Sequence, residues 1–319
     1  MTSAQQSSAS QASAQSLGEP DLITIICLSF NTRDYIAQCF DALLAQQVDS
    51  RLQIVVHDDA SEDGSQELIR DYASRYPDIF TLVLQVSNRY SLGFCPVRAC
   101  ADHVRGSFVA ICEVDDYWTE PDKLQRQLEF LKQSQRNFVG TQCQSQTADG
   151  DMGPKFPKAS SGRSVSIVSG SDIFAMRKYI HTSTYFMRRA VLDKWAAAFT
   201  RQVVSVDLTI LLTACLFDDG LAVQNRVTSH YRIHEAGAWT GSSRPERYAR
   251  YAATWQVILD ALGPQLPCRY RRLAQNNLVY FQVLSKAAPS DLLLALASRG
   301  SWGVIQVGWN MLARRLLGN

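Results

Sequence analysis

Carboxylates gather at two places where apolar runs end. Leu52-Gln53-Ile54-Val55-Val56 leads into His57-Asp58-Asp59, and Val109-Ala110-Ile111-Cys112 leads into Glu113-Val114-Asp115-Asp116-Tyr117-Trp118. An apolar run that stops abruptly in acids reads as a buried strand delivering negative charge to a sheet edge, where open α/β sheets bind their ligands. Such carboxylates suit a hard divalent cation, Mg²⁺ or Mn²⁺, which prefers oxygen ligands and often shares them with substrate phosphates. A third turn, Ser29-Phe30-Asn31-Thr32, follows the apolar run 22–28 and adds an aromatic ring. An aromatic, a carboxylate pair and an acidic cradle together fit a nucleoside diphosphate. Its base would stack on Phe30 and donate an N–H to an aspartate, while a cation bridges to its phosphates. The plainer alternative is a solvated acidic turn in which Asp115 or Asp116 caps the next helix.

The sequence contains neither GxGxxG nor GxxxxGK[ST]. That argues against a dinucleotide-dependent dehydrogenase and a P-loop kinase, and leaves the phosphates to the cation and to basic side chains such as Arg98.

These turns need a scaffold that brings them to one edge. Apolar runs at 22–28, 52–56, 80–86, 108–112 and 138–143 alternate with helical patterns, of which the clearest places Leu124, Leu128 and Leu131 on one face behind Pro121. Strands alternating with helices predict an α/β fold with a mostly parallel central sheet, so that every strand exits on the same side. Residues 144–171, rich in Ser, Gly, Lys and Pro, read as an excursion or loop. A helix near 189–198 follows, and 221–227 and 229–233 read as two further strands. From Pro245 the pattern is helical. Ile305, Trp309, Leu312 and Leu316 form an apolar stripe near Arg314-Arg315, suited to an anionic membrane surface or to docking on the catalytic domain. The expected organisation is a disordered tail at 1–19, one domain at 20–240 and a helical extension at 241–319.

Composition bounds the class. The 319 residues are 46% hydrophobic and 19% charged, with a formal net charge of +2. Residues 244–319 hold ten Lys/Arg against three acids, a local +7 that leaves the remainder near −5. A basic end behind an acidic body favours an anionic surface or a phosphorylated acceptor over nucleic acid. The eight cysteines show no CxxC pair and several sit in apolar runs, as small buried hydrophobes do. Reduced thiols, with no secretory leader pattern after Met1, give the expectation of a cytoplasmic protein, peripheral at the inner face of the plasma membrane if the stripe binds lipid.

Several stretches carry a resemblance. Leu28-Ser29-Phe30-Asn31, Asp58-Asp59-Ala60-Ser61-Glu62-Asp63-Gly64-Ser65 and Glu113-Val114-Asp115-Asp116-Tyr117-Trp118 resemble successive signatures of family-two glycosyltransferases with the GT-A fold. Thr182-Ser183-Thr184, Asp207 and Tyr231-Arg232-Ile233-His234 continue the series in the family's order over residues 22–240. The resemblance implies a Rossmann-like GT-A domain that moves a sugar from a nucleoside-diphosphate donor, with inversion, to a glycan or lipid-linked acceptor of bacterial polysaccharide or lipopolysaccharide type. Carried over by residue, it implies that Phe30 stacks on the base within the Ser29–Asn31 turn and Asp59 accepts from it. Glu113, Asp115 and Asp116 occupy the DxD region, Asp115 and Asp116 binding Mg²⁺ or Mn²⁺ with His234 as a late ligand. Asp207 becomes the general base. Two departures stand out: Glu113 replaces the first aspartate of DxD, and Val206 precedes Asp207 where an acid or glycine is common. The rival readings are a sugar-phosphate nucleotidyltransferase and a catalytically inactive nucleotide-binding scaffold.

Overall fold

The computed structural model describes residues 18–158, 162–200, 203, 205–234 and 243–286. The Ser/Ala/Gln tail and the apolar stripe from Ile305 lie outside them. The chain separates into two units, residues 1–202 with 206–234, and residues 203–205 with 235–319.

The first unit is built on a ten-stranded sheet. Four strands form its parallel half: β1 (Glu19–Ser29), β2 (Arg51–Asp58), β3 (Phe80–Leu84) and β4 (Gly106–Glu113), in the order β3-β2-β1-β4. Their continuous apolar runs are those of strands covered on both faces. Ile23, Ile25, Ile54, Val56, Ala110 and Cys112 are buried. Helix α1 (Arg33–Leu44) presents Ile36, Cys39, Phe40 and Leu43 to this core. Helix α2 (Ser65–Arg75) adds Ile69 and Tyr72. The short α3 (Pro96–Ala101) leads into β4.

The remaining strands change the pattern. β5 (Tyr117–Trp118) precedes α4 (Lys123–Ser134), whose apolar face is the expected Leu124, Leu128 and Leu131. β6 (Phe138–Thr147) turns into β7 (Met152–Phe156), and β8 (Val165–Val168) follows. The stretch read as a loop therefore holds the antiparallel β6–β7 hairpin and an edge strand. Its Pro and Gly residues and its largely exposed side chains hid it, as befits strands at the periphery of a sheet. After α5 (Gly170–Phe174) comes the three-residue β9 (Phe186–Arg188). It runs antiparallel between β4 and β6, so the sheet is mixed and the strands do not all leave on one side.

Helices α6 (Arg189–Ala198) and α7 (Val206–Ala214) lead to β10 (Leu221–Ile233). β10 is one strand where the sequence suggested two, and it runs parallel to β6 with two register shifts. Ala222 faces Val139 while Ser229 faces Cys143, so seven steps along β10 match four along β6.

The second unit is a helical pair. A capping box of Ser243 and Glu246 starts α8 (Arg244–Leu262), and a 3₁₀ turn at Gly263–Gln265 leads to α9 (Cys268–Lys286). Trp255, Ile258 and Leu262 are buried, as are Tyr270, Ala274 and Phe281, and Tyr251 stacks on Phe281 at 4.9 Å. No helix among the described residues is long and apolar enough to cross a membrane.

Candidate active site

The ends of β1 and β2 are stitched together through Asp58. This fully buried carboxylate accepts the Ser29 hydroxyl at 2.8 Å, the Ser61 N–H and hydroxyl at 2.9 and 2.6 Å, and the Gln66 amide at 2.8 Å. Ser29 also lies 2.9 Å from the Thr32 hydroxyl. Asn31 adopts a φ of 51°, which an asparagine tolerates better than most residues. Its N–H donates to the Ser61 hydroxyl at 2.8 Å, and its Oδ1 accepts the Glu62 N–H at 3.0 Å. With the loops so tied, Phe30 is left facing outward, 48% exposed. It lines an open cleft of about 570 Å³ together with Asn31, Ser61, Glu62, Gln85 and Val86.

Asp59 is not among the residues lining that cleft. It is 3% exposed, and its two carboxylate oxygens accept the N–H groups of Arg89 and Tyr90, each at 2.9 Å. The carboxylate therefore holds the loop after β3. Arg98 does not line that cleft either: on α3 it pairs with Asp102 at 2.6 Å.

The second acidic end is organised differently. Glu113 closes β4, and the Asp116 N–H donates back to its carbonyl at 3.0 Å, a tight turn that spreads the three acids in different directions. None of them caps α4, whose N-cap is Asp122. Asp116 points inward and is fully buried. Its Oδ1 accepts the Arg232 N–H at 3.1 Å, while Oδ2 has no hydrogen-bond partner and lies 3.6 Å from His181 Nδ1. Asp115 points outward and meets His234 Nε2 at 3.1 Å. Arg232 locks the turn by donating to the Asp115 carbonyl at 2.6 Å and to the Gln38 side chain. Its guanidinium lies over the rings of Tyr117 and Tyr35, at 4.4 and 4.9 Å.

The charges are poorly compensated. Burial, and then the charges of Asp115 and Asp207, push the Glu113 carboxyl up to about 8. Burial, followed by Asp115 and Glu113, raises Asp116 well above the usual carboxylate range. Burial lowers His181 to about 4 against the pull of Asp207 and Asp115. Burial thus favours the neutral form of both Asp116 and His181. His234 moves the other way, raised chiefly by its hydrogen bond to Asp115.

Asp207 belongs to the same electrostatic neighbourhood, since its charge acts on both Glu113 and His181. It lies in the first turn of α7, where its Oδ2 accepts the Tyr179 hydroxyl at 2.6 Å and its backbone carbonyl accepts that of Tyr185 at 3.2 Å. The aspartates farther along have another task. Asp218 accepts the backbone and side-chain N–H groups of Asn137 just before β6, at 2.9 and 3.2 Å.

Among the described residues, no group of three His, Cys, Asp or Glu side chains forms a ready-made metal cage. The donors fit a cation that shares its coordination with a substrate. Asp115 and His234 offer one outward carboxylate and one imidazole, and Glu113 and Asp116 are raised by burial and then by the Asp115 charge, which a divalent cation would offset. Magnesium-type sites commonly use one or two carboxylates plus phosphate oxygens.

The family described as glycosyl transferase family 2 matches residues 24–193, more than half of the chain. The chain belongs to that family. A relative from Mycobacterium tuberculosis, an uncharacterized protein, is 32% identical over 250 residues, covering 75% of this chain and 68% of that protein. Among solved structures, Staphylococcus aureus TarS (residues 1–349, with UDP-GlcNAc) aligns with a TM-score of 0.61 at 18% identity, over 89% of this chain and 81% of that one. The mannosyltransferase PcManGT of Pyrobaculum calidifontis, with GDP-Man and Mn²⁺, aligns at 0.58 and 19% identity, over 95% and 82%. These likenesses establish the fold, a central sheet flanked by helices in the GT-A manner, and family membership makes the protein a glycosyltransferase.

Sequence reasoning gave His234 a role but none to its motif neighbour Arg232, which fastens the acidic turn. The signal was present: residues two apart on a strand share a face, so Arg232 and His234 reach the same neighbour. Tyr179 carried no pattern at all, because it meets Asp207 across 28 residues of chain.

Proposed function

We propose that this glycosyltransferase is inverting and metal-dependent, moving a sugar from a nucleoside-diphosphate donor to a hydroxyl of a glycan or lipid-linked acceptor, with Asp207 as general base. The observation that carries this reading is the electrostatic neighbourhood of Asp207 and Glu113, in one unit with an aromatic cleft at the end of β1. The nucleotide sugars held by the two neighbouring structures are in keeping with it.

In this reading Ser29 and Asn31 hold the loop that presents Phe30 to the base. Asp115 and His234 would hold the cation. Glu113 lies beside them, and Asp116 keeps the turn in place through the Arg232 N–H. When bound, the cation stabilises the charge that develops on the departing diphosphate. Tyr179 orients the Asp207 carboxylate, which takes the proton of the acceptor hydroxyl as that oxygen attacks the anomeric carbon from the face opposite the leaving group. No covalent intermediate on the enzyme is required.

The test is donor turnover. UDP-, GDP- and dTDP-sugars incubated with Mn²⁺ or Mg²⁺ should slowly release nucleoside diphosphate, and chelation should stop it. Asp115→Asn should bind donor without cation dependence, since a neutral amide is a poor ligand for a hard ion. Unchanged cation dependence in that variant would refute the metal assignment. Release of pyrophosphate would instead identify a nucleotidyltransferase.

A further inference from the structure

We infer that His181 is an acceptor-binding residue: its Nε2–H holds a hydroxyl next to the one that reacts, so the acceptor end is a sugar ring. This rests on the reading of Asp207 proposed above as the base, which puts the acceptor beside that carboxylate.

The imidazole is fixed from one side. His181 precedes the 3₁₀ turn Thr182–Thr184, and its Nδ1 accepts the Ser183 N–H at 3.3 Å. A backbone N–H can only donate, so Nδ1 carries no proton and, in the neutral ring, Nε2 does. The Ser183 hydroxyl, 2.8 Å from Nδ1, is linked in turn to the Ser229 hydroxyl at 2.9 Å. Asp116 Oδ2 approaches the same nitrogen, at 3.6 Å. Every hydrogen bond of the ring among the described residues is thus made at Nδ1. Capping the turn explains that nitrogen and leaves Nε2–H without a task.

His181 is 6% exposed. Its Nε2 has no hydrogen-bond partner among the described residues, yet it is not one of the partnerless atoms sealed away from solvent. Buried polar groups are rarely left unpaired, so a donor that is nearly enclosed and still reachable suits a ligand.

The surroundings say which ligand. The rings of Tyr231, of Phe156 on β7 and of Tyr179 lie 4.7, 5.7 and 6.1 Å from the imidazole. Tyr231 and Phe156 are half-buried and Tyr179 is exposed, so apolar ring surface is left beside the donor. Tyr179 also gives its hydroxyl to Asp207 Oδ2 at 2.6 Å, and Asp207 is foremost among the charges acting on His181. One N–H donor and one carboxylate, a single aromatic side chain apart, match a sugar ring, which has C–H faces and a rim of hydroxyls. Asp207 takes the proton of the attacking oxygen. That oxygen must keep a lone pair directed at the anomeric carbon, and a second donor on it would oppose the attack. The Nε2–H therefore serves a neighbouring oxygen, which a simple alcohol does not possess.

The deciding variant is His181→Asn. Its Oδ1 can replace Nδ1 as acceptor for the Ser183 N–H, and asparagine is a favoured cap, but the shorter side chain supplies no donor where Nε2 stands. It should melt as the wild type does. The full chain with Mn²⁺ is given UDP-, GDP- and dTDP-sugars and, as acceptors, p-nitrophenyl glycosides of glucose, galactose, mannose and N-acetylglucosamine. The wild type should transfer to at least one glycoside, and His181→Asn should raise the KM for it about tenfold, the worth of one hydrogen bond. Monodeoxy forms of that glycoside give a second measurement on the wild type alone. Loss of the hydroxyl next to the reacting one should raise KM by a similar factor there, and by no more than about twofold in His181→Asn. An unchanged KM in the variant would leave His181 a cap and overturn the inference. So would a wild type indifferent to every deoxy form, or one that hydrolyses donor and uses no glycoside. The transferase reading survives each of these results. No turnover of any donor by folded protein would remove that reading and this inference with it.

Discussion

The two acidic strand ends of this protein are alike in sequence and opposite in physics. At the end of β2, Asp58 and Asp59 are met by N–H and O–H donors at nearly every oxygen, and their work is to hold loops. At the end of β4, Asp116 is fully buried with one carboxylate oxygen unpartnered, and burial and neighbouring carboxylates raise both it and Glu113. A buried carboxylate with its hydrogen bonds made is an architectural part, whereas one left short of them stores unfavourable electrostatic energy until a ligand arrives. On the proposed reading, rigidity lies on the nucleotide side of the site and responsiveness on the cation and acceptor side.

The largest expected effect is on catalysis. Asp207→Asn keeps the shape of the side chain and should leave folding and donor affinity unchanged, while sugar transfer falls about 10²–10⁴-fold. Full transfer activity would remove Asp207 from the responsive half.

Next comes a stability effect on the other side. Asp58→Ala strands the donors of Ser29, Ser61 and Gln66 and should cost about 3 kcal/mol or more in denaturant unfolding, at about 1–3 kcal/mol for each donor left unsatisfied. A cost below about 1 kcal/mol would mean that the knot is not what holds the loops.

The smallest effect is a slope. The Glu113 carboxyl is raised in the folded protein to about 8 from an ordinary value of 4.5, so between these limits the folded state binds more protons than the unfolded one. Its contribution therefore favours folding at low pH and is lost as pH rises through that window. Relative to Glu113→Gln, the metal-free wild type should lose stability from about pH 4.5 to 8, with a slope of at most about 1.4 kcal/mol per pH unit. Adding Mn²⁺ should flatten the difference. A difference that is flat without metal would show that the acidic end is not frustrated.

The contrast between the acid pairs was only half legible in the sequence. Continuous apolar runs announced β1, β2 and β4, because strands covered on both faces leave no choice of residue type, and their ends announced the acids. What sets one acid apart from another is the donors around it, and those come from Gln66, Arg89 and Arg232, at distances along the chain that no local pattern encodes. Strands β7 and β8 escaped for a related reason: β7 is mostly exposed, and β8 is four residues long, too short to display an alternation. Asp207, reached through the family resemblance, lies where its charge acts on Glu113, but the Tyr179 that grips it was silent.

The irregular ladder between β10 and β6 makes that strand a counting device. Side chains on a strand alternate between faces, so an odd surplus of residues exchanges the two faces for everything downstream. Seven steps against four is such a surplus, and it decides on which side of the sheet Arg232 and His234 emerge. Chain length between Gln224 and Ser229 is therefore a parity setting for the acidic end: a change by one residue inverts it, and a change by two restores it. The alignment of a histidine with Asp115 is written several residues earlier in the chain.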